Sequence, residues 1–162
     1  MSFVMDAPLN PDDVSLLWAA PERADEIAAL HGHLFDPPWD AESVAQLIEH
    51  PAAAAFVAQT RDTKALAGFL IAQIAADEAE ILSIGVAPEW QRRGIARHMV
   101  EGLVRAARRA EVKRLFLEVA VTNSAANRLY RGLGFEPVGR RLGYYQRPGA
   151  DPVDAVVLAL AL

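Results

Sequence analysis

Two short stretches of this chain carry residue types that could do chemistry. The first, PEWQRRGIARHMV at 88–100, places Arg92, Arg93 and Gly94 between a proline and a helical apolar pattern. A helix that begins just after Gln91 exposes unpaired backbone N–H groups in its first turn, and its macrodipole favours an anion there. Gly94 and the small Ala96 let a ligand approach the backbone closely. A Walker loop would need Lys followed by Ser or Thr, and a dinucleotide fingerprint would want glycine where Ala96 and Met99 stand, so neither motif fits. At the level of the loop alone two readings stand: an anion cradle, or a solvated turn ahead of a core-packing helix.

The second stretch, LFLEVAVTNSAANRLYRGLGF at 115–135, sets Glu118 in an apolar strand, Asn123 just after it and Tyr130 on the following helix. A carboxylate among Leu115, Leu117 and Val119 loses solvation unless something compensates, and burial would raise its pKa toward the range of a general base. The alternative is a Glu118 that faces solvent or pairs with an arginine, which strand alternation by itself leaves open. Tyr130 taken alone reads as core packing. His31 and His33, two apart on a helix, point about 200° from each other and do not converge on a metal, so they read as surface or packing residues. His50 and His98 have no ligand spacing, Ser83 lacks a nucleophile-elbow pattern, and no metal site is expected. The stripe Arg105, Arg108, Arg109, Lys113 and Arg114 reads as a solvated face rather than an RNA surface.

These residues need elements to position them. An apolar run at Val14–Trp18 predicts a strand, and the dozen residues before it a loose lead-in, placing the boundary of the folded part at 13/14. Pro21 sits where a helix starts, and Ile27, Leu30, Leu34 and Phe35 recur at helical spacing until DPPWD breaks the pattern. A second short helix with Val44, Leu47 and Ile48 on one face runs to Pro51. Three strand-like runs, 54–59, 65–74 and 80–86, have short charged links and predict an antiparallel meander. After the loop, Ile95, Met99, Leu103 and Ala106 mark the inner face of a helix whose outer face carries Arg97, Glu101, Arg105 and Arg108. RLFLEVAV predicts a buried strand, SAANRLYRGLG a short helix closed by Gly134, and FEPVGRRLGYY and AVVLALAL two last strands. The order βααβββαβαββ is a mixed α/β sheet in one domain over 14–162.

Length and composition narrow the function classes. A chain of 162 residues with 52% hydrophobic residues can bury a substantial core. It has no run of the ~18–20 apolar residues that a membrane span needs and no basic segment leading into an apolar run, so a soluble, cytoplasmic protein is expected. The absence of cysteine removes disulfides and thiolate chemistry together. A net charge of −5 argues against a general nucleic-acid binder and suits a cationic partner.

Taken together, the order of elements, IGVAPEWQRRGIAR and NRLYRGLGF resemble the GCN5-related N-acetyltransferases (GNAT), over about residues 14–162. Within that superfamily the chain is most similar to the RimI-type enzymes, which acetylate the N-terminal alanine of a ribosomal protein. FDPPW at 35–39, LEVAVTN at 117–123, LYRGLGF at 129–135, GRRLGYY at 139–145 and DAVVLAL at 154–160 carry that likeness.

The resemblance implies acetyl-coenzyme A as cosubstrate and a primary amine as acceptor. It puts the pyrophosphate on the loop, with coenzyme contacts at Arg92, Arg93, Gly94, Ile95, Ala96, Arg97 and Asn123. Ile84, Gly85 and Val86 on the preceding strand join them, the Val86 N–H facing the oxyanion. It makes Glu118 the base and Tyr130 the acid that protonates the departing thiolate. Trp39, Tyr144 and Tyr145 become walls of the acceptor cleft. Ala120 stands where the family usually has Arg, Thr122 where it has Ser, and ANRLY replaces AIxLY; these departures flank the site and bear on acceptor identity. A small-molecule amine or antibiotic as acceptor, and a noncatalytic acyl-coenzyme A module, are the competing expectations, and monomer and dimer are both open.

Overall fold

The computed structural model describes residues 13–162, so the expected lead-in over 1–13 falls, but for Asp13, outside the described residues. The element order is the expected one: β1 (Val14–Trp18), α1 (Ala24–Leu34), α2 (Ala41–Glu49), β2 (Ala53–Thr60), β3 (Leu66–Ala75), β4 (Glu78–Val86), α3 (Ile95–Arg109), β5 (Arg114–Ala120), α4 (Ser124–Gly132), β6 (Glu136–Tyr145) and β7 (Val153–Ala161). Short 3₁₀ turns at Pro21–Arg23 and Pro88–Trp90 lead into α1 and into the glycine loop. The strands form a seven-stranded sheet in the order β1-β2-β3-β4-β5-β7-β6. By its contacts the chain divides into two compact units, one running to Gln73 and including Ser83–Leu103, the other made of Ile74–Leu82 and Val104–Leu162.

In the first unit β1 and β2 pair antiparallel, as do β2 and β3, the first two strands of the expected meander, and its third strand, β4, lies next to β3 in the sheet. Asp40 caps α2 by accepting a hydrogen bond from the Ser43 N–H at 2.7 Å. The core gathers Ile27, Val44, Phe69, Leu70, Ile71, Ile95, Met99 and Leu103. Two glycines set how closely the layers approach. A Cβ at Gly85 would lie 2.6 Å from Leu34 and 2.7 Å from Phe69, and one at Gly68 would lie 2.9 Å from the Gly85 carbonyl. Gly85, expected as a coenzyme contact, therefore has a packing reason of its own: α1 presses on β4 at that point.

In the second unit β4 and β5 pair parallel through Glu78–Ile81 and Arg114–Leu117, as a crossover through α3 requires. β7 lies between β5 and β6, antiparallel to both. β5 alternates: Leu115, Leu117 and Val119 are buried, while Phe116, Glu118 and Ala120 face the other side. The expectation of a wholly buried strand is corrected accordingly. Glu118 does not sit among the three buried apolar side chains but on the opposite face. Along α3 the buried residue in the fourth turn is Ala107, not Ala106, because 3.6 residues per turn carries the stripe one position on after Leu103.

Candidate active site

The glycine loop belongs to the first unit. The helix starts at Ile95, later than the expected position just after Gln91, because two residues ahead of it leave helical space: Arg92 has φ +62 and Gly94 φ +81. Within the protein Gly94 answers to conformation, since a Cβ on it would meet no protein atom within 4 Å. The first bond into the helix runs from the His98 N–H to the Gly94 carbonyl at 3.0 Å. The N–H groups of Gly94, Ile95, Ala96 and Arg97 precede it and make no hydrogen bond to any described residue. Four consecutive donors follow a left-handed turn, with no protein atom within 4 Å of a Cβ placed on Gly94, an arrangement able to receive an anion such as a pyrophosphate.

The side chains around this receptor are occupied elsewhere or exposed. Arg93 stacks over Trp90 at 5.4 Å, Arg97 lies 3.9 Å from Glu101, and Arg92 is exposed. Gln91 donates through Nε2 to the Val86 carbonyl at 3.0 Å. The Ala87 N–H bonds to Ala67, so the Val86 N–H, one residue earlier, faces the other edge of β4. Ile84 and Val86 are half-buried. Trp39, also in this unit, is seated by His31: the Trp39 N–H donates to His31 Nδ1 at 3.1 Å and the rings stack at 4.5 Å. His31 is buried, and that burial lowers its pKa. Its part is packing, as expected.

The second unit holds Glu118, Tyr130, Tyr144 and Tyr145, and it adds a residue the sequence reading missed. Arg141 Nε lies 2.7 Å from Glu118 Oε1, with the carboxylate side chain 16% exposed and the arginine side chain 59% exposed. Of the readings left open for Glu118, a desolvated carboxylate or one that pairs with an arginine, the structure has the arginine pair. Glu118 lies opposite Val157 and Arg141 opposite Ala155, two positions apart on β7 and on one face of it, so the pair reaches across the intervening strand. The guanidinium also sits over the Tyr144 ring at 5.4 Å, and Tyr144 meets Tyr145 edge-on at 5.1 Å. The GRRLGYY stretch was in view for its likeness. What could have pointed to Arg141 was the pairing of β5 and β6 on either side of β7.

Tyr130 is buried, with its ring edge-on to Phe135 at 5.6 Å. No described residue shares a hydrogen bond with its hydroxyl, and among the described residues no buried polar side-chain atom lacks a partner, so the hydroxyl reaches accessible surface. Burial, and then the neighbouring Tyr145, push its pKa up to about 12. Tyr145 is likewise raised, by burial first, then by Glu118 and Tyr144. Tyr130, Tyr145 and Glu118 therefore feel one another in a chain. A phenol near 12 keeps its proton throughout the neutral range.

Three further side chains brace the elements around this cluster. Asp154 accepts from Arg140 at 2.8 and 2.9 Å and from the Gly143 N–H at 2.8 Å, and those hydrogen bonds hold its carboxyl below the usual carboxylate range. Three residues, Leu142, Gly143 and Tyr144, oppose that single aspartate, a bulge that turns the two tyrosines, with Gly143 at φ +60. Asn123 caps α4 by accepting from the Ala126 N–H at 3.1 Å, so its side-chain oxygen already has a structural task. Asn127, the departure in ANRLY, donates to the Ala120 and Asn123 carbonyls at 3.1 and 2.8 Å and ties the end of β5 to α4. That change is structural. Among the described residues no group of three or more His, Asp or Glu could hold a metal ion.

A model of the acetyltransferase (GNAT) family matches residues 24–135, more than two thirds of the chain, and the chain belongs to that family. Among individual proteins it is 39% identical over 98 residues to the [ribosomal protein bS18]-alanine N-acetyltransferase of Escherichia coli K12, a match spanning 60% of this chain and 65% of that protein. It is 34% identical over 153 residues to the N-alpha-acetyltransferase RimI of Mycobacterium tuberculosis, covering 91% and 92% of the two. The crystal structure of the Escherichia coli ribosomal-protein-S18-alanine N-acetyltransferase superposes with a TM-score of 0.79 at 30% identity, over 91% of this chain and 93% of that one. The GNAT fold and family expected from the motifs are those found.

Proposed function

We propose that the protein transfers acetyl from acetyl-coenzyme A to the N-terminal amine of a protein, and that the acceptor is the terminal alanine of a ribosomal protein. The observation that carries the transferase reading is the run of four unbonded N–H groups at Gly94–Arg97 behind a left-handed turn, in a family of acetyltransferases. The acceptor comes from the relatives: the Escherichia coli enzyme is named for that alanine and the Mycobacterium tuberculosis one for N-α-acetylation. The coenzyme supplies an acetyl thioester. We place the reaction in the cytoplasm, where new protein N-termini appear; no helix of the described residues is long and apolar enough to cross a membrane.

The chemistry assigns work to each unit. The first holds the pyrophosphate on backbone amides, and the Val86 N–H stabilises the oxyanion that develops on the thioester carbonyl. In the second, Glu118 takes the proton released as the amine nitrogen bonds to the carbonyl carbon, directly or through a water, and the carbon–sulfur bond breaks. A peptide α-amine titrates near about 7.7–8.0 and a lysine near about 10.4, so near neutral pH the neutral form is a few hundred times more abundant for the α-amine. A carboxylate base suffices for that acceptor.

Tyr130 faces the departing sulfur as a hydrogen-bond donor. Handing its proton over fully, from about 12 to a thiol near about 8.5, would cost roughly 5 kcal/mol. Stabilising the thiolate by an O–H···S contact is the cheaper course, which narrows the acid role expected for this residue. Mixing the protein with acetyl-coenzyme A and a peptide beginning Ala-Arg, and following free thiol together with the acetylated peptide, tests the reading. Tight coenzyme binding with no thiol release for any amine would instead mark a coenzyme sensor.

A further inference from the structure

Arg141 touches two partners among the described residues, the Glu118 carboxylate and the Tyr144 ring, and neither gives its Nη groups a hydrogen-bond acceptor. It is an exposed cation held beside a mostly buried carboxylate by the β6 bulge that Asp154 clamps. Nε is the atom that lies against Glu118, and the side chain as a whole is 59% exposed.

That arrangement matches the first residue of a peptide. The terminal nitrogen and the carbonyl oxygen of the same residue hang on one Cα, about 3 Å apart. A proton acceptor with a cationic donor beside it addresses both atoms at once, and Arg is suited to this because its fork of donors is fixed in one plane. A lysine ε-amine has four methylene groups behind it and no oxygen within reach. The positive charge acts in the same direction, because it disfavours an ammonium next to Glu118 and so penalises the amine that gives up its proton less readily.

Resting on the acetyltransfer reading above, we infer that Arg141 is a specificity-determining residue: its Nη groups receive the first carbonyl oxygen of the acceptor, and this selects α-amines over side-chain amines. The test compares two peptides of one sequence, the first with a free N-terminal alanine and the second acetylated there but carrying an internal lysine. A third peptide has its first carbonyl replaced by a thioamide, which keeps the shape but accepts hydrogen bonds poorly.

Wild type favours the first peptide in kcat/KM and loses activity on the thioamide. In Arg141→Ala the preference for the α-amine falls about 10- to 100-fold, the range for a hydrogen bond from a charged donor, mainly through KM, and the thioamide costs nothing further. Arg141→Lys restores part of the preference. Equal losses on both amines, or a thioamide penalty that persists in Arg141→Ala, would overturn the inference. Should Arg141→Ala not fold, wild type decides alone: no penalty for the thioamide refutes it. A wild type inert toward every α-amine fails at the earlier step and takes the acetyltransfer reading with it.

Discussion

The glycine loop and the Glu118 cluster are built from different materials. Between Arg92 and Arg97 the working groups are backbone N–H donors, aimed by two residues of positive φ and surrounded by side chains engaged elsewhere or exposed. Around Glu118 the working groups are side chains placed by neighbours in space: Arg141 across β7 pairs with the carboxylate, Tyr145 raises the pKa of Tyr130, and Asp154 holds Gly143 in the bulge. A backbone site tolerates changes of side chain and fails when φ is changed. A side-chain site does the reverse. This difference teaches that a substitution conservative in one region is disruptive in the other.

The largest effect is expected where a side chain carries the proton. Glu118→Gln keeps the size and removes the base, so kcat should fall about 10²- to 10⁴-fold with acetyl-coenzyme A affinity nearly unchanged. Steady-state kinetics with a coenzyme titration beside them measure both, and an affinity loss as large as the loss of kcat would show that the cluster is not a separate device. Tyr130→Phe, which removes one hydrogen bond to sulfur, should cost nearer tenfold in kcat.

The next effect sharpens the other half of the contrast. Gly94→Pro removes a donor and imposes a φ near about −65° where +81 is required, and coenzyme affinity should drop well over tenfold. Arg92→Ala keeps the backbone at the same point and should cost no more than about threefold, the scale of an exposed charge. Calorimetric titration of both variants with coenzyme A decides it; if the arginine change proves the more damaging, the backbone account of the loop is wrong.

The smallest effect concerns Trp39, whose backbone N–H is held by a ring. His31 must be neutral at Nδ1 to accept that hydrogen bond, and burial lowers its pKa below the ordinary value. Since the unfolded chain then binds more protons, stability falls as pH drops from about 6.5 toward the lower folded value. The melting temperature should decline by a few °C between about pH 7.5 and pH 5.5 beyond the general trend, and His31→Gln should flatten that part. An unchanged slope in His31→Gln would remove His31 from the account.

What could be read from the sequence follows from what is local. The order βααβββαβαββ and the loop at 92–97 were legible, since periodicity, proline and glycine act on the backbone within a few positions, whereas the caps Asp40 and Asn123 were seen only in the structure. The boundary of α3 was read early because nothing in QRRG announces that an arginine will take a left-handed φ. The packing demand at Gly85 was invisible in the sequence, because a motif does not show that Leu34 and Phe69 leave no room there for a Cβ.

By itself, then, the sequence determined the family, the strands that bear Glu118 and the tyrosines, and the loop that bears the amides. Only the tertiary structure decided that Glu118 is ion-paired, that Arg141 is its partner, that Asp154 holds the bulge and that Tyr130 is driven to about 12. The reason is physical. Backbone conformation answers to neighbours along the chain, whereas the charge state of a side chain answers to neighbours in space. Here those neighbours meet through the register of β5 and β6 on either side of β7.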